Sequence, residues 1–286
     1  MKEKNMNYKL GLYEKSMPSG LSWEEMLTAA VETGYDHLEI SIDETDARQA
    51  RLKWTKEQRQ ELVALIAKTG MPIRTMCLSG HRKYPLGSHD PAVRERGMEI
   101  MRDAIDFAGD IGVRIIQLAG YDVYYEEGDN ETRALFAENL KKSVEYAAQR
   151  GVLLGFETME TPFMDTISKA MNYVKLVDSP YLGVYPDLGN LTNACYLYKQ
   201  DVLVEIASGR GHTFAMHLKE TVEGVYRDMD FGTGRVEFVP GIRQALESGI
   251  HLFTAEFWHD GCEDWKGRLL RTNRFLRSKF EEASAQ

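Results

Sequence analysis

Eight short apolar runs alternate with amphipathic stretches along the chain, and this repeat restricts the fold more than any other feature. The runs are 8–14 (YKLGLYE), 37–43 (HLEISID), 73–79 (IRTMCLS), 114–120 (RIIQLAG), 153–159 (LLGFETM), 182–188 (LGVYPDL), 213–219 (TFAMHLK) and 252–258 (LFTAEFW). They are near-continuous rather than alternating, the pattern of strands buried on both faces of a parallel sheet. Between them, sets such as Leu62/Leu65/Ile66, Met101/Ile105/Ala108 and Phe136/Leu140/Val144/Ala147 fall at helical spacing. Gly34, Gly70, Gly112, Gly151 and Gly249 each follow a helical stretch and precede a strand, the place of a helix C-cap. Ser22 before Trp-Glu-Glu and Thr55 before Lys-Glu-Gln mark helix starts.

A short repeat also suits a solenoid, but eight strand–helix units in this length fit a closed (β/α)8 barrel better. An open doubly wound sheet would carry a glycine-rich phosphate turn after its first strand. The turn here, LYEKSMPSG, has no GxGxxG. No linker or low-complexity break interrupts the pattern. The expectation is therefore one (β/α)8 (TIM) barrel domain over residues 1–286. The C-terminal stretch 265–280 places Trp265, Leu269, Leu276 and Phe280 on one stripe and reads as a helix covering the barrel.

In such a barrel, function sits at the C-terminal ends of the strands. Glu157, Asp187, His217 and Glu256 fall there on the last four runs, one per run. Each alone has an ordinary explanation: a solvated strand end, an Asp-x-Gly turn, a satisfied core histidine. Together they do not. Burying a carboxylate or imidazole among apolar neighbours is costly unless the group is paired or binds a metal. Three carboxylates and one imidazole form a hard, oxygen-rich set for a single divalent cation: Mn2+, Mg2+, Co2+ or Zn2+. Glu14, Asp43, Ser79, Tyr121 and Asp122 are expected around the same mouth.

Two loops are candidates for binding a phosphate. The stretch 79–88 after the third run gathers Ser79, His81, Arg82 and Lys83; the stretch 227–235 carries Arg227 and the Gly232-Thr233-Gly234 turn. Basic side chains and glycine amides suit phosphate oxygens, although solvated loops would read the same way. A net charge of −9 disfavours a broad nucleic-acid or anionic-membrane surface. The apolar runs are too short to span a membrane, and MKEKNMNYKL shows no signal-peptide pattern. Cys77, Cys195 and Cys262 are few and scattered, as in a reduced, cytoplasmic protein. The expected partner is a small molecule, not nucleic acid or membrane, with a homodimer the default assembly.

Several strings make the reading more specific: GLYEK at 11–15, SIDETD at 41–46, MCLSGHRKYPLGS at 76–88, IQLAGYDVYY at 116–125, YPDLGN at 185–190 and HLK at 217–219. In these the chain resembles the xylose-isomerase-like superfamily, and within it the L-ribulose-5-phosphate 3-epimerase group. The resemblance implies that Glu157, Asp187, His217 and Glu256 hold one metal and that Glu157 and Glu256 are the acid/base pair. It implies 3-epimerisation of a ketopentose phosphate, L-ribulose 5-phosphate or L-xylulose 5-phosphate, through a metal-stabilised cis-enediolate. The superfamily's apurinic endonucleases need more histidines on early strands than this chain offers. An aldose–ketose isomerase on the same site, or a non-catalytic sugar-binding barrel, remains the alternative.

Overall fold

The computed structural model describes residues 7–285; most of the N-terminal segment read for a signal peptide lies outside them. The first half of the chain forms β1 (Lys9–Tyr13), α1 (Trp23–Glu32), β2 (His37–Ile42), α2 (Asp46–Gln49), α3 (Lys56–Thr69), β3 (Ile73–Leu78), α4 (Pro91–Ile111) and β4 (Ile115–Leu118). Then come α5 (Asn130–Arg150), β5 (Leu153–Phe156), α6 (Ile167–Val177), β6 (Leu182–Val184), α7 (Leu188–Tyr198) and α8 (Val202–Ser208). The chain ends with β7 (Met216–Leu218), α9 (Phe238–Glu247), β8 (Leu252–Ala255) and α10 (Trp265–Ser284).

All eight strands are parallel, in the order β6-β5-β4-β3-β2-β1-β8-β7. The end strands meet through the parallel bridges Val184↔Thr213 and Asp187↔His217. Backbone bonds from Val184 to the His212 carbonyl (2.8 Å) and from His217 to the Pro186 carbonyl (2.9 Å) complete that seam. The (β/α)8 reading therefore holds.

Local signals act where the sequence places them. Ser22 and Thr55 close reciprocal capping boxes with Glu25 and Gln58, satisfying two otherwise orphaned donors at each helix start. The five cap glycines all adopt positive φ, between 66° and 88°. Leu269, Leu276 and Phe280 of α10 are fully buried against the barrel, as the stripe required.

The strands are shorter than the apolar runs at the end that carries the chemistry. β6 stops at Val184, because Pro186 has no N–H for the ladder and Asp187 turns to cap α7, accepting from the Asn190 amide at 2.6 Å. β7 starts at Met216 rather than residue 213. Among the described residues no helix is long and apolar enough to cross a membrane.

The barrel interior is polar towards its C-terminal end. Glu39, Thr75, Gln117, His217 and Thr254 are wholly shielded from solvent, and register sets Glu39 beside Thr75 and His217 beside Thr254. Apolar partners such as Leu38, Ile40, Met76 and Phe253 face the helices. Lower down, Gly11 leaves room for the His37 ring: a Cβ there would lie 2.1 Å from His37 Nε2. Gly11→Ala should therefore cost roughly 1–3 kcal/mol, as overpacked core sites do. Denaturant unfolding checks this, and an unchanged midpoint would mean that the ring moves aside freely.

Candidate active site

Three of the four clustered residues follow their strands directly or within three residues, and the fourth lies inside β7. Glu157 is anchored by its amide on the Leu118 carbonyl and Glu256 by its amide on the Leu218 carbonyl, both at 2.9 Å. Neighbouring strands thus hold both carboxylates where the ladder ends. Asp187 is held by Asn190 and by Thr158, whose hydroxyl accepts from the Asp187 amide at 3.0 Å. The structure brings all four together: one ligand-type atom from each lies within 4.8 Å of the others. His217 Nδ1 is 3.3 Å from Glu256 Oε2 and 4.0 Å from Glu157 Oε1.

Sequence reading missed Lys219. It is buried, with Nζ 3.1 Å from Glu256 Oε2 and 3.4 Å from Asp187 Oδ1. The signal was available: two residues after His217, it shares that residue's face of the strand. Trp258 stands in the same relation to Glu256, and the Lys219 ammonium lies 5.8 Å from its ring centre.

Opposing fields tune these groups. Burial pushes the Glu157 carboxyl well above the usual range, and the Glu256 charge adds to it. Asp187 is pushed up to about 6 by burial, against the pull of Lys219. Glu256 feels the same burial, but Lys219 and His217 overcome it and hold its carboxyl below the usual range. Burial disfavours the charged forms of His217 and Lys219; Glu39 and Glu256 outweigh it for the first, Asp187 and Glu256 for the second. Such crowding of carboxylates calls for a cation, and Asp187 Oδ2 is buried without a hydrogen-bond partner among the described residues. The hard donor set and this unused oxygen fit a divalent metal ion.

The cleft above the cluster is lined by Tyr13, Ser79, Glu160, Asn190, Tyr226 and Trp258, with Lys15, Arg82 and Arg227 supplying positive charge. Ser79, Arg82 and Arg227 thus reach the mouth. The other expected phosphate contacts do not. His81 is buried, with Nε2 3.1 Å from the Gly97 carbonyl, and burial pulls its pKa down to about 4. Lys83 is exposed and leans on the Tyr84 ring. The Gly232 amide is spent on Glu220 Oε2 at 2.8 Å, and a Cβ on Gly234 would strike the Thr221 carbonyl and the Glu220 carboxylate. That glycine pair wraps Glu220, a residue of its own loop.

Other groups expected at the mouth have structural partners. Glu14 is ion-paired with Arg48 and Arg51, and Asp43 with Lys15. Tyr121 donates to Glu160, and Asp122 accepts from Thr132 at the start of α5. A wider surface groove of about 580 Å3 between α7, α8 and α9 contains none of the clustered groups. A second metal-type trio, His259, Asp260 and Cys262, lies on the loop after β8, but Asp260 is taken by Arg268 at 3.2 Å.

Comparison with known proteins agrees with the barrel fold. A family model of xylose isomerase-like TIM barrels matches residues 27–279. The chain is 44% identical over 275 residues to the L-ribulose-5-phosphate 3-epimerase UlaE of Shigella sonnei (strain Ss046), covering 96% of this chain and 95% of that protein. The same figures hold for the UlaE of Escherichia coli strain ATCC 8739. Among solved structures, an L-ribulose 3-epimerase superposes with a TM-score of 0.78 at 19% identity, covering 96% of this chain and 95% of its own. A D-psicose 3-epimerase from Clostridium cellulolyticum H10, solved with D-tagatose, gives 0.79 at 17% identity, covering 95% and 99%. At such identities these two show the fold alone.

Proposed function

The chain belongs to the xylose isomerase-like TIM barrel family, within the group of the L-ribulose-5-phosphate 3-epimerases, and on that premise we propose that it epimerises a ketopentose phosphate at C3. It is an isomerase, a sugar epimerase by its relatives. The observation that carries the finer reading is the buried quartet Glu157, Asp187, His217 and Glu256 under a cationic cleft.

Epimerisation at C3 removes the proton next to the C2 carbonyl and returns one to the opposite face. Two acid/base groups on opposite sides of the sugar meet that need. Glu157 and Glu256 stand at the ends of β5 and β8, separated around the ring by β6 and β7, and both line the cleft. Asp187 and His217 stand between them, and the four residues would hold a divalent cation, which would supply Lewis-acid stabilisation of the negative charge left by proton removal. Arg82, Arg227 and Lys15, the last also paired with Asp43, are the groups of the cleft that would meet a substrate phosphate.

The test is incubation with L-ribulose 5-phosphate and Mn2+ in D2O, followed by NMR. Deuterium should enter at C3 as the epimer forms, and the unphosphorylated pentulose should react much more slowly. Deuterium confined to C1 would identify an aldose–ketose isomerase instead. Equal rates on phosphate and free sugar would remove the assigned role of the three cations.

A further inference from the structure

His217 has a second carboxylate behind it, on the far side from the cluster. Glu39, in the middle of β2, is wholly buried and places Oε1 2.5 Å from His217 Nε2. Its other oxygen, Oε2, accepts from the Thr75 and Tyr185 hydroxyls, each at 2.7 Å. The Tyr185 hydroxyl in turn lies 3.0 Å from the Thr254 hydroxyl. These contacts span the barrel interior from β2 to β8 and hold the Glu39 side chain in one place.

We infer that Glu39 is a positioning residue for the proposed metal centre, locking His217 in the orientation that turns Nδ1 towards Glu157 and Glu256. The inference rests on the metal-site reading above. Two hydroxyl donors fix Oε2, which leaves Oε1 facing the ring 2.5 Å from Nε2. The ring is thereby held with Nδ1, its other nitrogen, towards the clustered carboxylates.

The Gln117 amide nitrogen lies against the same ring, 3.1 Å from Nδ1 and 3.4 Å from Nε2. Tyr185 meets the same ring edge-on, with centroids 5.0 Å apart, and limits its tilt. A carboxylate behind a metal-bound histidine commonly sets the ring's orientation in this way.

The experiment uses the full chain stripped of metal and titrated with Mn2+, with free ion followed by electron paramagnetic resonance. Wild type should take up one ion, and Glu39→Gln should bind it about 10–100-fold more weakly. Raising Mn2+ should restore most of the variant's activity, which it would not do if Glu39 only held the barrel together. Unchanged Mn2+ affinity with a lowered unfolding midpoint would overturn the inference and leave Glu39 a packing residue. If wild type itself binds no Mn2+, the metal-site reading fails first and takes this one with it. Should Glu39→Gln not fold, Glu39→Asp, which draws the carboxylate back from the ring, decides by the same Mn2+ titration: weaker binding supports the inference, and unchanged affinity overturns it.

Discussion

Glu256→Gln and Glu157→Gln should each lose about 10²–10⁴ in the rate at which solvent deuterium enters C3, measured with the metal site saturated. That is about 3–5 kcal/mol of barrel-mouth chemistry at roughly 1.4 kcal/mol per tenfold. Glutamine keeps the side-chain volume but can neither take nor return the carbon-bound proton. Because the two glutamates serve opposite faces of the sugar, neither should substitute for the other. Both variants should also bind metal more weakly, so the comparison is made at saturating ion.

The fold should survive in both. At position 157 burial and the Glu256 charge already favour the neutral acid, which glutamine mimics. At position 256 the change removes a partner of Lys219, whose ammonium keeps Asp187 at 3.4 Å. Near wild-type exchange by either variant at saturating metal would end the two-glutamate mechanism.

The architecture and the four clustered residues were legible because both depend on periodic or local signals. Apolar runs, cap glycines and capping boxes are short-range features, and strand ends in a barrel converge whatever the loops do. What stayed hidden depends on the opposite wall. Glu39 sits in HLEISI, a string that says nothing about whether its side chain meets solvent, a helix or the interior. Its partner His217 is 178 residues away, and only the closed ring puts them 2.5 Å apart.

The phosphate loops were harder to read for a different reason. Gly232 and Gly234 announce that a backbone can approach something closely, and sequence does not say what; Glu220, in the same loop, takes that space. His81 looked like a mouth residue because it sits between Gly80 and Arg82. The short helical turn over Gly80–Arg82 instead rotates its ring into the core against α4. Arg82, one residue on, is turned to the cleft. Residue type marked the loop, but the turn decided which side chains entered the site.

Chelation should remove turnover while leaving the barrel folded, a loss of about 10³ or more in rate, since Lewis-acid stabilisation by a bound cation is worth several kcal/mol. The chain's own basic groups support the folded, metal-stripped state. Lys219 pairs with Glu256 and Asp187, and His217 lies against Glu39 and Glu256 and 4.0 Å from Glu157, so each carboxylate of the cluster has a basic group beside it. The unfolding free energy should fall by no more than the linkage of the lost ion, about 2.7 kcal/mol where the ion had been at a hundred times its dissociation constant. Far-UV circular dichroism should not change. Lys219 cannot replace the ion in catalysis, because its ammonium is already held by Glu256 and Asp187. Mn2+, Mg2+ or Co2+ added back should restore the rate, and the order of recovery identifies the preferred metal. Undiminished deuterium exchange at C3 after elemental analysis shows the metal gone would mean that the side chains alone carry the proton transfer.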